Sequence, residues 1–178
     1  AKHAGTSRFA YNWALSRRTE RFETREGRER FSNAMADHRE WNTWKREGAP
    51  WASEVSKCAA QEAFRDLDRA FIAFWKGRKK SGGKVGFPKF KKKGRHDSFR
   101  LTGTIRVLDA RTVQLPRLGR LRSKEKMAVN GRILSASVRR EADRWFVSLT
   151  VEEDRPEPLP RSGDPIGIDV GLNTFAVM

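Results

Sequence analysis

An aspartate lies within a short apolar run near residue 170. Asp169 stands inside Ile166–Gly171, where residues that favour β-strands flank a single carboxylate. A strand of this kind would be buried while its carboxylate projects toward a metal ion, and Leu172-Asn173 would form a turn into a second strand. Two-metal hydrolysis of a phosphodiester needs several carboxylates around ions about 4 Å apart. Asp169 is therefore a candidate for one Mg²⁺ ligand of a larger site, and an ordinary hairpin with a solvated aspartate is the alternative.

A dense basic run between positions 76 and 100 is the second candidate for chemistry. A single acid, Asp97, interrupts the run, and Phe87, Phe90 and Phe99 lie among its cations. Cations attract phosphates with a strong salt dependence, and interleaved aromatic rings can stack on bases. A solvated loop is the alternative. The residues predicted to contact a nucleic-acid backbone are Lys76, Arg78, Lys79, Lys80, Lys84, Lys89, Lys91, Lys92, Lys93, Arg95 and Arg100.

Composition narrows the class of protein. The chain has 178 residues, and 38 Lys+Arg against 22 Asp+Glu give a formal net charge of +16, which favours a polyanionic partner. A hydrophobic content of 37% with six Trp is enough for a core. No segment approaches the ~20 apolar residues of a membrane span. Cys58 is the single cysteine, which excludes an intrachain disulfide and a cysteine-rich zinc site in this chain, and we predict a reducing, cytoplasmic setting.

Periodicity predicts helices over residues 1–77. We expect a first helix around Phe9 and Trp13, a second from Ser32 as N-cap to Gly48, and a third that Pro50 opens. The third helix carries an apolar stripe at spacings of three and four, formed by Ala60, Phe64, Leu67, Phe71 and Phe74. An adjacent polar side of the same helix holds Lys57, Gln61, Arg65 and Asp68. The three histidines are expected to be packing or surface residues. Trp41, Trp44 and Trp51 are expected to pack within the bundle, and stacking on bases is the alternative.

The period changes to two after the basic run. Strands are predicted over 104–108, 112–115, 133–139 and 145–151, and Glu141-Ala142-Asp143 is predicted to turn between the last two. Several short antiparallel strands favour a small barrel. A proline-rich linker, residues 156–165, then leads to the hairpin that contains Asp169.

Short motifs in a fixed order resemble the TnpB family, the IS200/IS605-type RNA-guided nucleases of insertion sequences, and related compact type V CRISPR effectors. Each motif is weak alone, and their order and spacing carry the likeness over nearly the whole chain. The motifs occupy residues 8–15, 63–71, 87–91, 98–102, 113–119 and 167–173. A start without Met and a stop inside the hairpin indicate part of a longer polypeptide.

The resemblance implies an α+β architecture. We expect a helical recognition domain over 1–80, a basic connector over 81–97, a β-barrel wedge domain over 98–155, the linker over 156–165, and the start of a RuvC-like, RNase H-type nuclease domain over 166–178. By likeness, Asp169 is the first acidic Mg²⁺ ligand, and Lys57, Gln61 and Thr102 read a short DNA motif next to the target. The implied partners are a guide RNA and double-stranded target DNA, without a membrane.

The sequence also departs from the family pattern. It lacks the usual first barrel strand, the later nuclease acids and the Cys-rich insert, so Zn²⁺ would bind only in a part absent here, and we expect this chain alone to be inactive. Three functions remain open. These are the N-terminal part of an RNA-guided DNA endonuclease, a nuclease-inactive or truncated RNA-guided DNA-binding protein, and a transposase that recognises DNA directly. For Lys57 and Gln61 the alternative is a solvated helix face.

Overall fold

Three helices and two small antiparallel sheets form the protein. The computed structural model describes residues 1–24, 32–80 and 86–154. The helices are α1 (Lys2–Glu23), α2 (Ala34–Gly48) and α3 (Lys57–Lys80), and a short 3₁₀ helix (Pro50–Glu54) precedes α3. The strands are β1 (Ser98–Thr102), β2 (Arg106–Asp109), β3 (Thr112–Leu115), β4 (Gly119–Arg122), β5 (Arg132–Glu141) and β6 (Arg144–Glu152).

The predicted apolar stripe of α3 forms the centre of the helical core. Ala60, Phe64 and Leu67 are buried against Leu15 of α1 and Trp41 of α2. Residues three and four apart lie on one helix face, so the stripe meets both neighbouring helices. The ring of Trp44 contacts the rings of Phe9 and Trp13 (centroids 6.0 and 5.4 Å away), and the ring of Trp51 contacts that of Phe9 (5.3 Å). The prediction that these tryptophans pack within the bundle is confirmed.

The helix boundaries differ from the prediction at two places. Asn33, not Ser32, caps α2, because its Oδ1 accepts hydrogen bonds from the backbone N–H groups of Met35 (3.1 Å) and Ala36 (3.0 Å). The Ser32 hydroxyl instead donates to Asp37 (2.6 Å). Pro50 opens the 3₁₀ helix rather than α3, and Val55 in extended conformation separates the two. An extended residue breaks the helical hydrogen-bond ladder, so α3 starts afresh at Lys57.

A buried ionic network ties the three helices together. Arg18 of α1 forms ion pairs with Asp37 of α2 and with Asp68 of α3 (2.6 Å). Asp68 also accepts a hydrogen bond from the backbone N–H of Ala34 (2.8 Å). Asp68 therefore belongs to the contact between the helices and not to a solvated polar side of α3.

The strands form two three-stranded sheets rather than the predicted barrel. β5 lies between β1 and β6, and β3 lies between β2 and β4. In the described residues no ladder of hydrogen bonds joins the two sheets, so the closed barrel is a wrong prediction. The sheets nevertheless share one core, which includes Phe99, Leu101, Val113, Leu115 and Ala136. Alternation predicts which residues face a core, but it does not determine which strands pair.

The individual strand predictions agree more closely with the structure. β3 matches its predicted range, and β5 and β6 extend their predicted ranges to a tight turn at Ala142-Asp143, where Ala142 has φ 49°. β4 was not predicted. The linker 156–165 and the hairpin 166–178 lie outside the described residues.

Candidate nucleic-acid interface

The helices and the sheets meet at a cleft of about 610 Å³. On the helical side, α3 begins at this cleft, and the Ser56 hydroxyl accepts a hydrogen bond from the backbone N–H of Cys58 (3.4 Å). On the sheet side lie the end of β1 and the turn between β3 and β4. Polar or charged side chains from both sides line the cleft, namely Thr6, His38, Lys45, Ser53, Ser56, Lys57, Thr102, Thr104, Gln114 and Arg117.

Two of the three predicted motif-reading residues line this cleft together. The Cys58 thiol donates to the backbone oxygen of Thr102 (3.5 Å) and lies 3.4 Å from its hydroxyl oxygen, which fixes β1 against the start of α3. Lys57 is exposed and Thr102 is half-buried. Gln61 lies one helical turn beyond Lys57 and is half-buried, but it is not among the residues that line the cleft.

The cleft is positively charged. Lys45, Lys57 and Arg117 line it, and none of its described lining residues is an aspartate or a glutamate. Burial lowers the pKa of His38, and the charges of Lys45, Lys57 and Arg65 lower it further, so His38 stays neutral at neutral pH. Such a cleft favours an anionic ligand.

Residues 86–97, called the basic segment below, pack against α1 and α3. The ring of Phe87 contacts Phe71 and Phe74 of α3, each with centroids 5.4 Å apart. The side-chain amide of Asn12 donates to the backbone oxygen of Lys91 (2.9 Å) and accepts from its N–H (2.8 Å), as a paired strand would. These contacts order the segment without regular secondary structure.

Lys91 differs from the other cations of the basic segment. Its ammonium lies 4.2 Å from the centre of the Tyr11 ring and 4.0 Å from Asp66. Burial lowers its pKa, and Asp66 partly opposes that effect. Lys91 is therefore engaged in packing, whereas four cations of the segment remain exposed, namely Lys89, Lys92, Lys93 and Arg95.

The far end of the basic segment is also anchored. Asp97 forms an ion pair with Arg8 of α1 (3.0 Å), and its backbone oxygen accepts from the N–H of Arg140 (2.8 Å). The half-buried Arg100 donates to the Ser137 hydroxyl (3.2 Å) on the neighbouring strand, and Lys76 is exposed on α3. Four of the predicted cations have side chains outside the described residues, namely Arg78, Lys79, Lys80 and Lys84, and so does Asp169.

The sequence analysis missed a group of arginines on the sheet β2–β3–β4. Arg106, Arg120 and Arg122 are exposed on strands whose alternate residues pack in the core. The signal in the sequence is the alternation of arginine with an apolar residue, as in Arg106-Val107 and Arg120-Leu121-Arg122. This alternation did not lead to a prediction, because β4 was not predicted as a strand.

The structure gives no metal centre in the part of the chain it describes. No three His, Cys, Asp or Glu side chains there lie close enough together to hold an ion. His3 serves packing, as predicted, since its Nε2 accepts a hydrogen bond from the N–H of Ser56 (3.1 Å). Among the described helices, none has the length and apolar character that crossing a bilayer requires.

Comparison with known proteins gives one family model and several relatives. The model of the helix-turn-helix domain of the IS605 OrfB family matches residues 1–27. A protein of Escherichia coli named "Putative RNA-guided DNA endonuclease InsQ" is 26% identical over 178 residues, which cover 99% of this chain and 42% of that protein. "Putative RNA-guided DNA endonuclease Rv2885c" of Mycobacterium tuberculosis is 32% identical over 210 residues, which cover 100% of this chain and 44% of that protein.

By these matches the chain is similar to the TnpB family over its whole length, as its motifs predicted. It spans less than half of the length of the curated relatives that it matches, because the alignments cover 42% and 44% of them.

Proposed function

We propose that this chain supplies the nucleic-acid-binding part of an RNA-guided DNA endonuclease. The observation that carries the proposal is the cleft at which Lys57 and Thr102 meet, lined by three Lys or Arg side chains and by no described carboxylate. The names of the relatives support it, since each begins "Putative RNA-guided DNA endonuclease". In such a system base pairing with a guide selects the target, and the protein reads only a short neighbouring motif.

Reading of that motif is assigned to Lys57, Gln61 and Thr102. Lys57 and Gln61 are one helical turn apart, about 6 Å along α3, so their long side chains can reach neighbouring base pairs. Thr102 lies beside Cys58 on the opposite side of the cleft and offers a short hydroxyl for a base edge or a phosphate. Gln61 is half-buried, so it does not stand on a fully solvated face.

Guide RNA binding is assigned to the basic segment and the neighbouring sheets. The contacts of Phe87, Lys91 and Asp97 order the segment before any ligand binds. Ordering in advance lowers the entropy cost of binding, because the exposed Lys89, Lys92 and Lys93 need not be brought into place. Single-stranded or structured RNA is attracted to such a cationic surface through its phosphates.

Cleavage is assigned to a Mg²⁺ site to which Asp169 contributes one carboxylate. Asp169 is a suitable ligand because Mg²⁺ prefers carboxylate oxygens. Mg²⁺ would stabilise the charge on the attacking or leaving oxygen of the phosphodiester. We place the further carboxylates of such a site outside the described residues, among which no group of His, Cys, Asp or Glu could hold an ion.

Direct DNA recognition is the second candidate function. The family model that matches residues 1–27 is described as a helix-turn-helix domain, a motif that can read DNA without RNA. However, residues 2–23 form the one continuous helix α1, and its Ala10, Tyr11, Ala14 and Leu15 are buried in the core. The buried face of α1 is therefore not free to enter a groove.

The nucleic acid that copurifies with the protein tests the proposal. We expect a defined RNA species that survives washing at moderate salt and is released at high salt, because phosphate contacts weaken as salt rises. Sequencing of the bound material checks this. Heterogeneous cellular RNA, or specific DNA binding after complete RNase treatment, would instead favour direct DNA recognition.

A further inference from the structure

The sheet β2–β3–β4 has one apolar face and one basic face. Val107, Val113 and Leu121 are paired across the three strands and pack in the core of the sheets. Successive side chains of a strand point to opposite faces, so the residues next to these three point outward. The outward residues of the middle row are Arg106, Gln114 and Arg120, which are also direct partners across the strands.

A second outward row extends the basic face. Thr112 pairs with Arg122 on one side and with Asp109 on the other. Among the residues of β2, β3 and β4, all of them described, Asp109 is the one acid, and its carboxylate accepts a hydrogen bond from the backbone N–H of Arg111 (2.7 Å). We call this surface, with Arg106, Gln114, Arg120, Thr112 and Arg122, the arginine face.

The spacing of the arginines suits an extended anion. Neighbouring strands lie about 4.8 Å apart, and the Cα atoms of alternate residues in one strand lie about 6.7 Å apart. The Cα atoms of Arg106 and Arg120 are therefore roughly 9.6 Å apart, and those of Arg120 and Arg122 roughly 6.7 Å apart. Arg106 and Arg120 form no ion pair with any described carboxylate. By contrast, Arg132 and Arg139 of the other sheet lie 4.0 and 3.1 Å from Glu152 and Glu141.

The arginine face is continuous with the cleft. Gln114 stands in the centre of the face and also lines the cleft beside Thr102 and Thr104. Arg117 lies in the turn from β3 to β4, which a hydrogen bond from the Leu118 N–H to the Leu115 oxygen closes (3.2 Å), and Arg117 lines the cleft as well. A ligand long enough to extend out of the cleft would therefore cross the arginine face.

We propose that the arginine face binds the phosphate backbone of the DNA duplex that continues outward from the motif in the cleft. This inference rests on the proposed function, because it takes the cleft as the site of duplex binding. Arginine suits the role since its planar fork donates two hydrogen bonds to one phosphate. Contacts of this type fix the position of the duplex and contribute affinity without sequence preference.

The test removes three charges from the arginine face and, as a control, three from the other sheet. The first variant is Arg106→Gln/Arg120→Gln/Arg122→Gln, and the control is Arg132→Gln/Arg139→Gln/Arg144→Gln, which changes the net charge equally. Fluorescence anisotropy measures binding of the 178-residue chain to a short labelled DNA duplex over a range of salt. Circular dichroism shows whether each variant is folded, and Arg120→Gln alone serves if the triple variant is not.

We expect the slope of log K against log[salt] to flatten by about two to three units in the first variant, at about 0.9 per phosphate contact, and by about one unit in Arg120→Gln. The control should keep nearly the parental slope, and replacement of the same three residues by Lys should restore most of the affinity. Preference among duplex sequences should not change.

Two outcomes would overturn the assignment. An equal loss of duplex affinity in the first variant and in the control would show that the arginine face contributes only through the overall positive charge of the protein. A loss confined to RNA, with duplex binding intact, would make RNA the ligand of this face. Failure of the proposed function would give a different result. The parental chain would then bind all duplex sequences equally, while the first variant would still show a flatter salt slope than the parental chain.

Discussion

Lys91 illustrates how the position of a single residue in the fold changes its role. Its sequence neighbours Lys92 and Lys93 are exposed, whereas Lys91 lies over the Tyr11 ring and has its backbone paired with Asn12. Composition alone does not distinguish the three lysines. The contact that sets Lys91 apart joins it to Asn12, which is 79 positions away in the chain. No local pattern predicts a contact of that range.

The three lysines should therefore respond differently to neutralisation. Lys92→Gln/Lys93→Gln should flatten the salt slope of RNA binding by about one to two units, given ~0.7–0.9 per phosphate contact. Lys91→Gln should leave that slope nearly unchanged and lower the melting temperature, since it removes the contacts with Tyr11 and Asp66. Anisotropy titrations and thermal melts separate the two effects. An unchanged salt slope in the double variant would show that Lys92 and Lys93 do not contact RNA phosphates.

At the scale of elements, the Arg18 network holds the helices in register. The side chains of Arg18 and Asp37 are 7% and 2% exposed, so the loss of Asp37 would leave a buried charge with only Asp68 as partner. We expect Asp37→Ala to cost about 3–5 kcal/mol of the free energy of unfolding. Urea denaturation measures this. Glu141→Gln, which removes an exposed partner of Arg139, is the control and should cost less than about 1 kcal/mol. A loss for Asp37→Ala no larger than that of the control would contradict this role.

The contact between α1 and the start of α3 should respond to pH. Burial lowers the pKa of His3, whose Nε2 accepts from the Ser56 N–H, and His38 is shifted in the same direction. As the pH falls below the unfolded-state pKa near 6.5, the unfolded chain takes up protons that the folded chain does not, so stability decreases until the folded-state pKa is passed.

Histidine replacement tests this linkage. The urea midpoint of the parental protein should fall between pH about 7.5 and about 5.5, and His3→Gln, which keeps an acceptor but does not titrate, should weaken that fall. An identical pH dependence in the parental protein and in His3→Gln would show that His3 is not the group responsible.

The elements also show what the sequence predicts and what it leaves open. The stripe from Ala60 to Phe74 and the alternation in β3, β5 and β6 were sufficient to predict those elements, since periodicity records which face is buried. The pairing of strands into two sheets was not predictable in this way. It depends on turns such as Thr102-Gly103-Thr104, where Gly103 has φ 98°, and on a shared core formed by distant residues.

For the whole molecule, the distribution of charge matters more than its total. The net charge of +16 predicts a polyanionic partner, but it does not place that partner. The structure places exposed cations on the basic segment, at the cleft and on the arginine face. The first group and Lys57 were predicted from the sequence. Arg117 and the arginine face required the position of β4.

A longer form of the protein should depend on Asp169 for cleavage. Asp169→Asn should abolish Mg²⁺-dependent DNA cleavage and leave RNA binding and target occupancy largely intact, because Asn keeps the shape of the side chain but removes the charge that binds the ion. Cleavage and binding assays on the same preparation check this. The 178-residue chain alone should not cleave DNA. Near-parental cleavage by the Asn variant would exclude Asp169 as a ligand.

The central claim is that the start of α3 and the end of β1 read a DNA motif, and the sequence preference of Gln61→Ala tests it most directly. Selection from a randomised duplex library should show lost preference at one base position, with a cost of ~1–3 kcal/mol on the preferred motif and unchanged guide-RNA binding. Thr102→Val should affect a different position or a phosphate contact. Equal loss of affinity on every duplex sequence in Gln61→Ala, with no position relaxed, would contradict the claim.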